Sequence, residues 1–271
     1  MRWLWRCSLV VMSLASPACA AHVPAGAQPF DRSLTLNAHR VTIHFANEGG
    51  ALARPLLVYT TGDGGWARKD LALYEQIVSW GFPTAGFSAP EYLKHLRGQA
   101  TTTPERVGED YARIIDFAVA QIDVEPGTPV ILIGVSRGAG LEVVAAGQPL
   151  VRGRLGGVIA VALTREEEHV RWFDLRRLPQ VRRPAVPEML DVYEYLPLLG
   201  TVPVAVVQST RDAFLPAAAA ARLFGPDTAS RRFLAIDARN HNFAGARGQM
   251  YDAARASLRW IDAVMYPEDT R

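Results

Sequence analysis

Short apolar runs alternate with helical patterns along most of this chain. After an alternating segment at residues 34–45, apolar runs lie at 55–60, 82–87, 129–135, 155–163, 202–208 and 232–236. Helical spacing of apolar residues falls between them, most clearly at 70–80, 103–122, 139–147 and 248–265. Buried strands joined by helices predict a mostly parallel sheet with helices on both faces. The predicted fold class is therefore α/β.

The length favours one large domain. The chain has 271 residues, of which 49% are hydrophobic, enough for one substantial core. Residues 164–200 interrupt the alternation, being charged at first and then rich in Pro, Leu and Tyr. We interpret them as a cap-like insertion within a single domain at 21–271. Its apolar side chains would either cover a lipid-like group or pack the insertion onto the sheet: Trp172, Phe173, Leu175, Leu178, Leu190, Tyr193, Tyr195 and Leu196.

The first 20 residues have the pattern of a signal peptide. Arg2 and Arg6 supply positive charge, residues 9–14 form a short apolar core, and small residues end at Ala20. The apolar core is too short to span a bilayer. We therefore expect cleavage near Ala20 and a mature chain outside the cytoplasm. The weaker alternatives are an uncleaved amphipathic segment and acylation of Cys19, whose preceding residues lack the large aliphatic side chain that such signals carry.

Cleavage at this position would change the chemistry open to the mature chain. Both cysteines, Cys7 and Cys19, would leave with the peptide, excluding a disulfide, a zinc–thiolate site and a cysteine nucleophile. The loss of two arginines would leave 27 basic against 27 acidic side chains. A neutral chain argues against nucleic-acid binding, which depends on excess positive charge.

A glycine-rich turn joins the most apolar strand to the helix after it. Residues 134–140 have the sequence GVSRGAG, which contains the pattern G-x-S-x-G. Gly134 and Gly138 would let the backbone pass closely while Ser136 projects above the carboxyl ends of the strands. The start of the helix would also favour negative charge on an attacked carbonyl oxygen. Ser136 is therefore the predicted nucleophile.

A serine nucleophile needs a base, and the base needs an acid that orients it. The G-x-S-x-G turn between strand and helix resembles that of the α/β-hydrolases, whose arrangement has the chain order Ser, then Asp or Glu, then His. Only His169 and His241 follow Ser136, and His169 comes too early. His241, between the last strand and the last helix, is the predicted base. Asp212, just beyond the next-to-last strand, is the predicted acid, with Asp237 as the alternative.

The sequence TGDGGW at residues 61–66 follows an early strand. A backbone N–H from Gly62 or Asp63 would form an oxyanion hole together with that of Arg137. The loop lacks the pattern G-x-G-x-x-G, and the chain lacks a Gly-Lys-Ser/Thr phosphate loop. The sequence therefore argues against nucleotide binding at this loop. We expect neither a cofactor nor a metal.

Four segments together resemble the bacterial VirJ/AcvB group. They are TGDGGW at 61–66, Thr-Pro-Glu at 103–105, the turn around Ser136, and His-Asn-Phe at 241–243. The resemblance covers roughly residues 56–265. Its most specific part is GDGGW, since the serine turn is shared by all α/β-hydrolases.

This resemblance implies an α/β-hydrolase fold, a periplasmic location and a triad of Ser136, Asp212 and His241. It also implies a link to secretion-associated virulence and hydrolysis of aminoacyl-phosphatidylglycerol, a membrane lipid ester. One position departs from the group, in which the residue after the nucleophile is often aromatic; here it is Arg137. The backbone donor is unaffected by that change, whereas the substrate pocket depends on the side chain.

Two classes of function follow. The first is a periplasmic serine esterase acting on a small-molecule or lipid ester, with peripheral membrane contact. The second is a non-catalytic adaptor with a hydrolase fold, which binds an envelope protein partner, since fold alone does not decide function. A complete triad favours the esterase, because binding alone would not require all three side chains.

Overall fold

The computed structural model describes residues 27–37, 39–47, 54–95, 103–122, 124–125, 127–168 and 189–267. The expected signal peptide lies outside them. The described strands are β1 (Ala27–Leu36), β2 (His39–Asn47), β3 (Leu56–Thr60), β4 (Thr84–Phe87), β5 (Val130–Val135), β6 (Leu155–Val161), β7 (Glu166–Glu168), β8 (Met189–Asp191), β9 (Val204–Ser209) and β10 (Arg231–Ile236). The described helices are α1 (Arg68–Val78), α2 (Ala89–His95), α3 (Pro104–Gln121), α4 (Arg137–Gly147), α5 (Pro149–Arg152), α6 (Ala217–Phe224) and α7 (Arg247–Met265), with a 3₁₀ helix at Val192–Leu199.

The main sheet has eight strands in the order β1-β2-β4-β3-β5-β6-β9-β10. Neighbours from β4 to β10 run parallel, whereas β1 pairs antiparallel with β2, and β2 pairs antiparallel with β4. The carboxyl ends of the parallel strands therefore meet along one edge, where loops can bring distant residues together. The prediction of a mostly parallel α/β sheet is confirmed.

The predicted elements after residue 55 agree with the observed strands and helices within two residues at each end. The alternating segment at 34–45 differs, because it contains the turn of the hairpin formed by β1 and β2. Asn37 allows this turn with a φ of 44°, a left-handed conformation that asparagine tolerates better than most residues. Alternation by itself does not show where a strand reverses.

Apolar layers cover both faces of the sheet. On one face α1 and α7 pack over Leu57, Tyr59 and Ile133. On the other face α3 and α4 pack over Val58 and Leu132. Consecutive residues of β3 thus enter opposite layers, as the two-residue period of a strand requires. This double burial explains why the strand sequences are apolar without alternation.

Helix α3 begins as its sequence predicts. Thr103 is the N-cap, and its hydroxyl accepts a hydrogen bond from the Arg106 backbone N–H at 3.3 Å. Pro104 follows at the first helical position, where its missing N–H costs nothing. The helix carries Tyr111 and Ile115 into the core, and the Tyr111 hydroxyl lies 3.1 Å from that of Thr60 at the carboxyl end of β3. It therefore supports the strand end from which the TGDGGW loop leaves.

The described parts of the 164–200 segment pack onto the main domain. β7 and β8 form an antiparallel pair, and the 3₁₀ helix buries Tyr193 and Leu196 in the apolar layer next to α4. Leu190 and Tyr195 pack against the same layer. These four side chains therefore pack the segment against the helical layer of the domain, whereas Trp172, Phe173, Leu175 and Leu178 lie outside the described residues. The cap-like role of the segment stays a prediction.

Within the described part of the chain, no helix is long and apolar enough to cross a membrane. The same residues contain no cluster of histidine, cysteine and acidic side chains suited to a metal ion.

Candidate active site

Ser136 occupies a strained turn between β5 and α4. Its backbone has a φ of 52° and a ψ of −116°, which non-glycine residues rarely adopt and which costs on the order of 1–3 kcal/mol. A Cβ on Gly134 would lie 2.5 Å from the Ala139 nitrogen, and one on Gly138 would overlap the Thr60 carbonyl oxygen. Both glycines are therefore required sterically for the turn that exposes the serine hydroxyl.

His241 connects the serine to a carboxylate. Its Nε2 lies 2.8 Å from the Ser136 Oγ, and its Nδ1 lies 2.7 Å from the Asp212 Oδ2. With a neutral imidazole protonated at Nδ1, the ring donates to Asp212 and accepts from the Ser136 hydroxyl. The structure thus brings the predicted nucleophile, base and acid into one hydrogen-bonded chain, although 105 residues separate Ser136 from His241.

Hydrogen bonds from Asn240 and Lys69 hold the loop that carries His241. The Asn240 side-chain oxygen accepts from the backbone N–H groups of Asn242, at 3.0 Å, and Ala244, at 3.2 Å. The Lys69 ammonium on α1 donates to the Asn242 side-chain oxygen at 2.5 Å. Phe243 turns the backbone with a φ of 52° and is buried. These contacts fix the imidazole through the backbone of its loop.

Asp212 lies in a buried cage of donors. Its Oδ1 accepts from the backbone N–H groups of Phe214, at 2.9 Å, and Leu215, at 3.4 Å. Its Oδ2 accepts from the Gln208 side-chain amide at 3.0 Å, in addition to His241. The Asp212 side chain is fully buried, so these bonds replace the hydration of its charge. The carboxylate is thereby fixed toward the imidazole.

The alternative acid, Asp237, has partners other than the imidazole. Its side chain is 77% exposed and accepts from Arg211 at 2.8 Å and from the Thr210 hydroxyl at 3.1 Å. The hydrogen bond from Arg211 lowers the pKa of the Asp237 carboxyl. The geometry therefore favours Asp212 as the partner of His241. His169, the other histidine after Ser136, lies outside the described residues.

The glycine-rich loop lies directly beside the serine. A Cβ on Gly62 would be 3.5 Å from the Ser136 Cβ. The Gly62 N–H, however, donates to the Asp70 Oδ1 at 2.9 Å, so its expected role as an oxyanion donor is not supported. The Asp63 N–H makes no hydrogen bond to any other described residue. Of the two expected donors in this loop, the geometry leaves Asp63.

The side chains of the two remaining oxyanion-hole candidates bind each other. The Arg137 Nε donates to the Asp63 Oδ1 at 3.0 Å, with Arg137 15% exposed and Asp63 52% exposed. This pair joins the TGDGGW loop to the first residue of α4. It therefore couples the two backbone positions whose N–H groups would bind an oxyanion, and it leaves one charge of each sign beside Ser136.

Two buried carboxyl groups lie behind the site. Burial raises the pKa of Asp70, while the Gly62 N–H opposes that rise by stabilising the charged form. Burial also raises the pKa of Glu142 well above its ordinary value, and the neighbouring Thr60 opposes the rise only in part. Neither Glu142 oxygen has a well-formed hydrogen bond within the described structure. A Cβ on Gly134 would lie 2.6 Å from one of them, so Glu142 packs against the serine turn.

Sequence reasoning missed several residues that shape the site. They are Asp70, Gln208, Phe214 and Asn240. Gln208 carried a signal, since a polar residue at the end of an otherwise apolar strand is a common position for a buried hydrogen bond. The ring of Phe214 contacts that of His241 edge-on with a centroid distance of 4.8 Å, yet Phe214 is 72% exposed. An apolar ring at the open side of the imidazole had no counterpart in the sequence pattern.

A family model described as bacterial virulence protein (VirJ) matches residues 55–154 of the chain. The resemblance to the VirJ family is confirmed. The VirJ match contains the TGDGGW loop and Ser136, whereas Asp212 and His241 lie beyond it. No curated protein matches the sequence.

Solved structures share the fold at low sequence identity. Est1E from Butyrivibrio proteoclasticus aligns with 86% of this chain and 99% of its own, at 14% identity and a TM-score of 0.62. A putative dienelactone hydrolase from Klebsiella pneumoniae aligns with 87% and 98%, at 11% identity and a TM-score of 0.60. The esterase domain of a Rhodothermus marinus protein aligns with 88% and 99%, at 14% identity and a TM-score of 0.57. These likenesses establish the α/β-hydrolase fold of the VirJ-like chain.

Proposed function

We propose that this protein is a serine hydrolase that cleaves carboxylic esters. One observation carries the proposal: Ser136, His241 and Asp212 form a continuous hydrogen-bonded chain with contacts of 2.8 and 2.7 Å. Ser136 has the strained backbone that exposes a nucleophile, and Asp212 is fully buried behind the base. The solved structures with the same fold include proteins named as esterases, which supports the same reaction class.

The geometry supports an acyl-transfer mechanism. The Ser136 Oγ attacks the ester carbon while the His241 Nε2 takes the hydroxyl proton, and Asp212 stabilises the resulting imidazolium. The backbone N–H groups of Asp63 and Arg137 stabilise the oxyanion. His241 then returns the proton to the leaving oxygen. Water then gives a proton to the His241 Nε2 and attacks the acyl carbon. The bond between that carbon and the Ser136 Oγ breaks, His241 returns its proton to the Oγ, and the acid leaves.

We further propose aminoacyl-phosphatidylglycerol as the substrate and the periplasm as the location. Part of this proposal rests on the VirJ resemblance and on the signal-peptide pattern before Ala20. The Asp63–Arg137 pair supports it from the site, because it presents a carboxylate and a guanidinium beside Ser136. The substrate carries an ammonium and a phosphodiester, which are the complementary charges. The enzyme would work at the membrane surface by peripheral contact.

A fluorophosphonate probe tests the reaction class. The wild-type protein should label once per chain, and Ser136→Ala should not label. The variant Ser257→Ala is a matched control, since Ser257 is a buried serine on α7, and it should label normally. Absence of labelling in folded wild-type protein would contradict the hydrolase and favour the adaptor, in which case an envelope protein partner should be sought.

Two further experiments test the finer proposals. Incubation with aminoacylated phosphatidylglycerol should release the amino acid, and plain phosphatidylglycerol should be inert. Hydrolysis of short soluble esters without amino-acid release would remove the lipid substrate and keep the esterase.

N-terminal sequencing of protein from the periplasmic fraction tests the location and should give a start near Ala21. An intact Met1 in the cytosol or a lipid on Cys19 would contradict export as a soluble chain.

A further inference from the structure

A cavity of about 440 Å³ opens at the opposite end of the sheet from Ser136. It lies between the end of α1, the starts of β3 and β4, and the outer face of α7. Its walls include Arg54, Trp80, Phe82, Arg255, Leu258 and Arg259. The volume falls within the range of small-molecule sites, and the mixture of apolar walls with a few charges is typical of them.

The cavity is separate from the triad. Arg54 precedes β3 and Phe82 precedes β4, whereas Ser136 follows the carboxyl end of β5. A five-residue parallel strand such as β3 spans about 17 Å, so the two sites lie at opposite edges of the sheet. The cavity is therefore too far from Ser136 to hold the ester during hydrolysis. A ligand in the cavity would be a different molecule from the substrate.

One arginine of the cavity is held in place before any ligand arrives. The Arg54 Nη1 donates to the carbonyl oxygens of Trp80, at 3.4 Å, and Gly81, at 3.1 Å, and its guanidinium lies 5.1 Å from the Phe82 ring centroid. Gly81 follows the end of α1 with a φ of 77°, which lets the chain turn there. The Nε and Nη2 groups of Arg54 have no acceptor among the described residues.

Two more arginines of the cavity carry uncompensated charge. Arg255 and Arg259 are exposed, lie one turn apart on α7, and form no ion pair with any described residue. Like charges at this spacing destabilise a helix by about 0.2–0.5 kcal/mol. The lining contains three arginines against a single acid, Asp262. An anion between the guanidinium groups would relieve the repulsion.

We propose that this cavity binds a phosphate group attached to an apolar or aromatic moiety. The guanidinium groups of Arg54, Arg255 and Arg259 supply planar pairs of donors, which suit phosphate oxygens. Trp80, Phe82 and Leu258 supply the apolar wall for the rest of the ligand. The ligand is either a soluble phosphomonoester or the headgroup of an anionic phospholipid, which share this chemistry.

Calorimetric titration with phenyl phosphate tests the site. Phenyl phosphate should bind more tightly than inorganic phosphate, benzyl alcohol should not bind, and added NaCl should weaken the interaction. Arg255→Gln or Arg259→Gln should each raise the Kd about tenfold, the usual loss for a hydrogen bond to a charged group. The matched control is Arg222→Gln, an exposed arginine on α6, which should leave the Kd unchanged.

Two measurements separate this site from the triad and identify the ligand source. Ser136→Ala should bind phenyl phosphate like wild type, and the double variant Arg255→Gln/Arg259→Gln should keep wild-type labelling by fluorophosphonate, which also reports its folding. Binding to vesicles with phosphatidic acid, but not to pure phosphatidylcholine, together with loss in the double variant, would identify a lipid headgroup. Binding of phenyl phosphate alone would identify a soluble ligand. Absence of all binding, or full binding by the double variant, would overturn the proposal.

Discussion

The Gly62 N–H donates to the Asp70 carboxylate at 2.9 Å, and this bond joins the loop beside Ser136 to the first turn of α1. Because the Gly62 amide is held inward, the next amide along the chain, that of Asp63, is left for an oxyanion. Asp70 is buried and its second carboxyl oxygen makes no hydrogen bond within the described structure. The hydrogen bond that Asp70 does make orients the Gly62 loop, which accounts for a carboxylate at this buried position.

Asp70→Ala is expected to lower kcat about tenfold with little change in KM. The reason is that a Gly62 amide without an acceptor lets the oxyanion loop move, which weakens a bond made only in the transition state. Asp70→Asn keeps an oxygen acceptor and should retain most of the activity. Steady-state kinetics on a soluble ester measures both. Equal losses in the two variants, with folding intact, would show that the charge matters rather than the hydrogen bond.

Ser136 should separate activity from stability. Ser136→Ala removes the nucleophile and should lower turnover by a factor of about 10⁴ to 10⁶, while the melting temperature hardly changes because alanine bears the same backbone strain. Ser136→Gly should be equally inactive but more stable by about 1 kcal/mol, since glycine adopts a φ of 52° without strain. Thermal unfolding compares the two. A glycine variant no more stable than the alanine variant would mean that the turn stores no strain.

The two candidate acids should behave very differently. Asp212→Asn should lower kcat about 10⁴-fold, because the amide favours the wrong imidazole tautomer. Asp237→Asn should leave kcat within about twofold, because the partners of its exposed side chain among the described residues are Arg211 and Thr210. Kinetics on both purified variants measures this. Greater damage from the Asp237 change would reverse the assignment.

Glu142 should make stability depend on pH. Burial raises its pKa in the folded state above the ordinary value of 4.5, so the folded protein binds a proton that the unfolded chain has released. Stability from this group therefore falls as pH rises above about 4.5. Glu142→Gln removes the titration, and its advantage over wild type should grow with pH in that range and vanish below it. Urea unfolding between pH 4 and pH 8 gives the comparison; a constant difference would refute the raised pKa.

Phe214 should affect substrate binding more than chemistry. Its ring contacts the His241 ring at 4.8 Å and is 72% exposed, so it can cover an apolar acyl group without supporting the core. Phe214→Ala should raise KM several-fold for an ester with an apolar acyl chain and leave kcat nearly unchanged. Leu223→Ala, at another exposed apolar residue, on α6, is the matched control. A fall in kcat with constant KM would instead assign the ring to positioning His241.

The order of strands and helices, and the positions of the three candidate catalytic side chains, could be predicted from the sequence. Ser136, Asp212 and His241 each follow a strand of the parallel sheet, and such strand ends share one edge, so chain order alone was enough to bring them together. The steric role of Gly134 and Gly138 was also predictable, because the tight turn between strand and helix leaves no room for side chains at these two positions.

The choice between Gly62 and Asp63 could not be made from the sequence. It depends on the direction of one amide, which is set by a carboxylate eight residues away in a helix whose rotation is fixed by packing. The chain reversal at Asn37 and the arginine-lined cavity could not be predicted for a similar reason. The reversal is set by the pairing of β1 with β2, and the cavity by packing of α7 beside the starts of β3 and β4. A periodic pattern describes only one segment of the chain.

The dispersal of the triad makes the site a reporter of the intact molecule. Ser136 depends on β5 and α4, Asp212 on the end of β9, and His241 on the loop between β10 and α7. Unfolding of any of these elements separates the atoms that make the serine reactive. If the protein is the serine hydrolase proposed above, the amount of covalent label on this chain should count intact molecules, and a heating series of labelling should follow global unfolding.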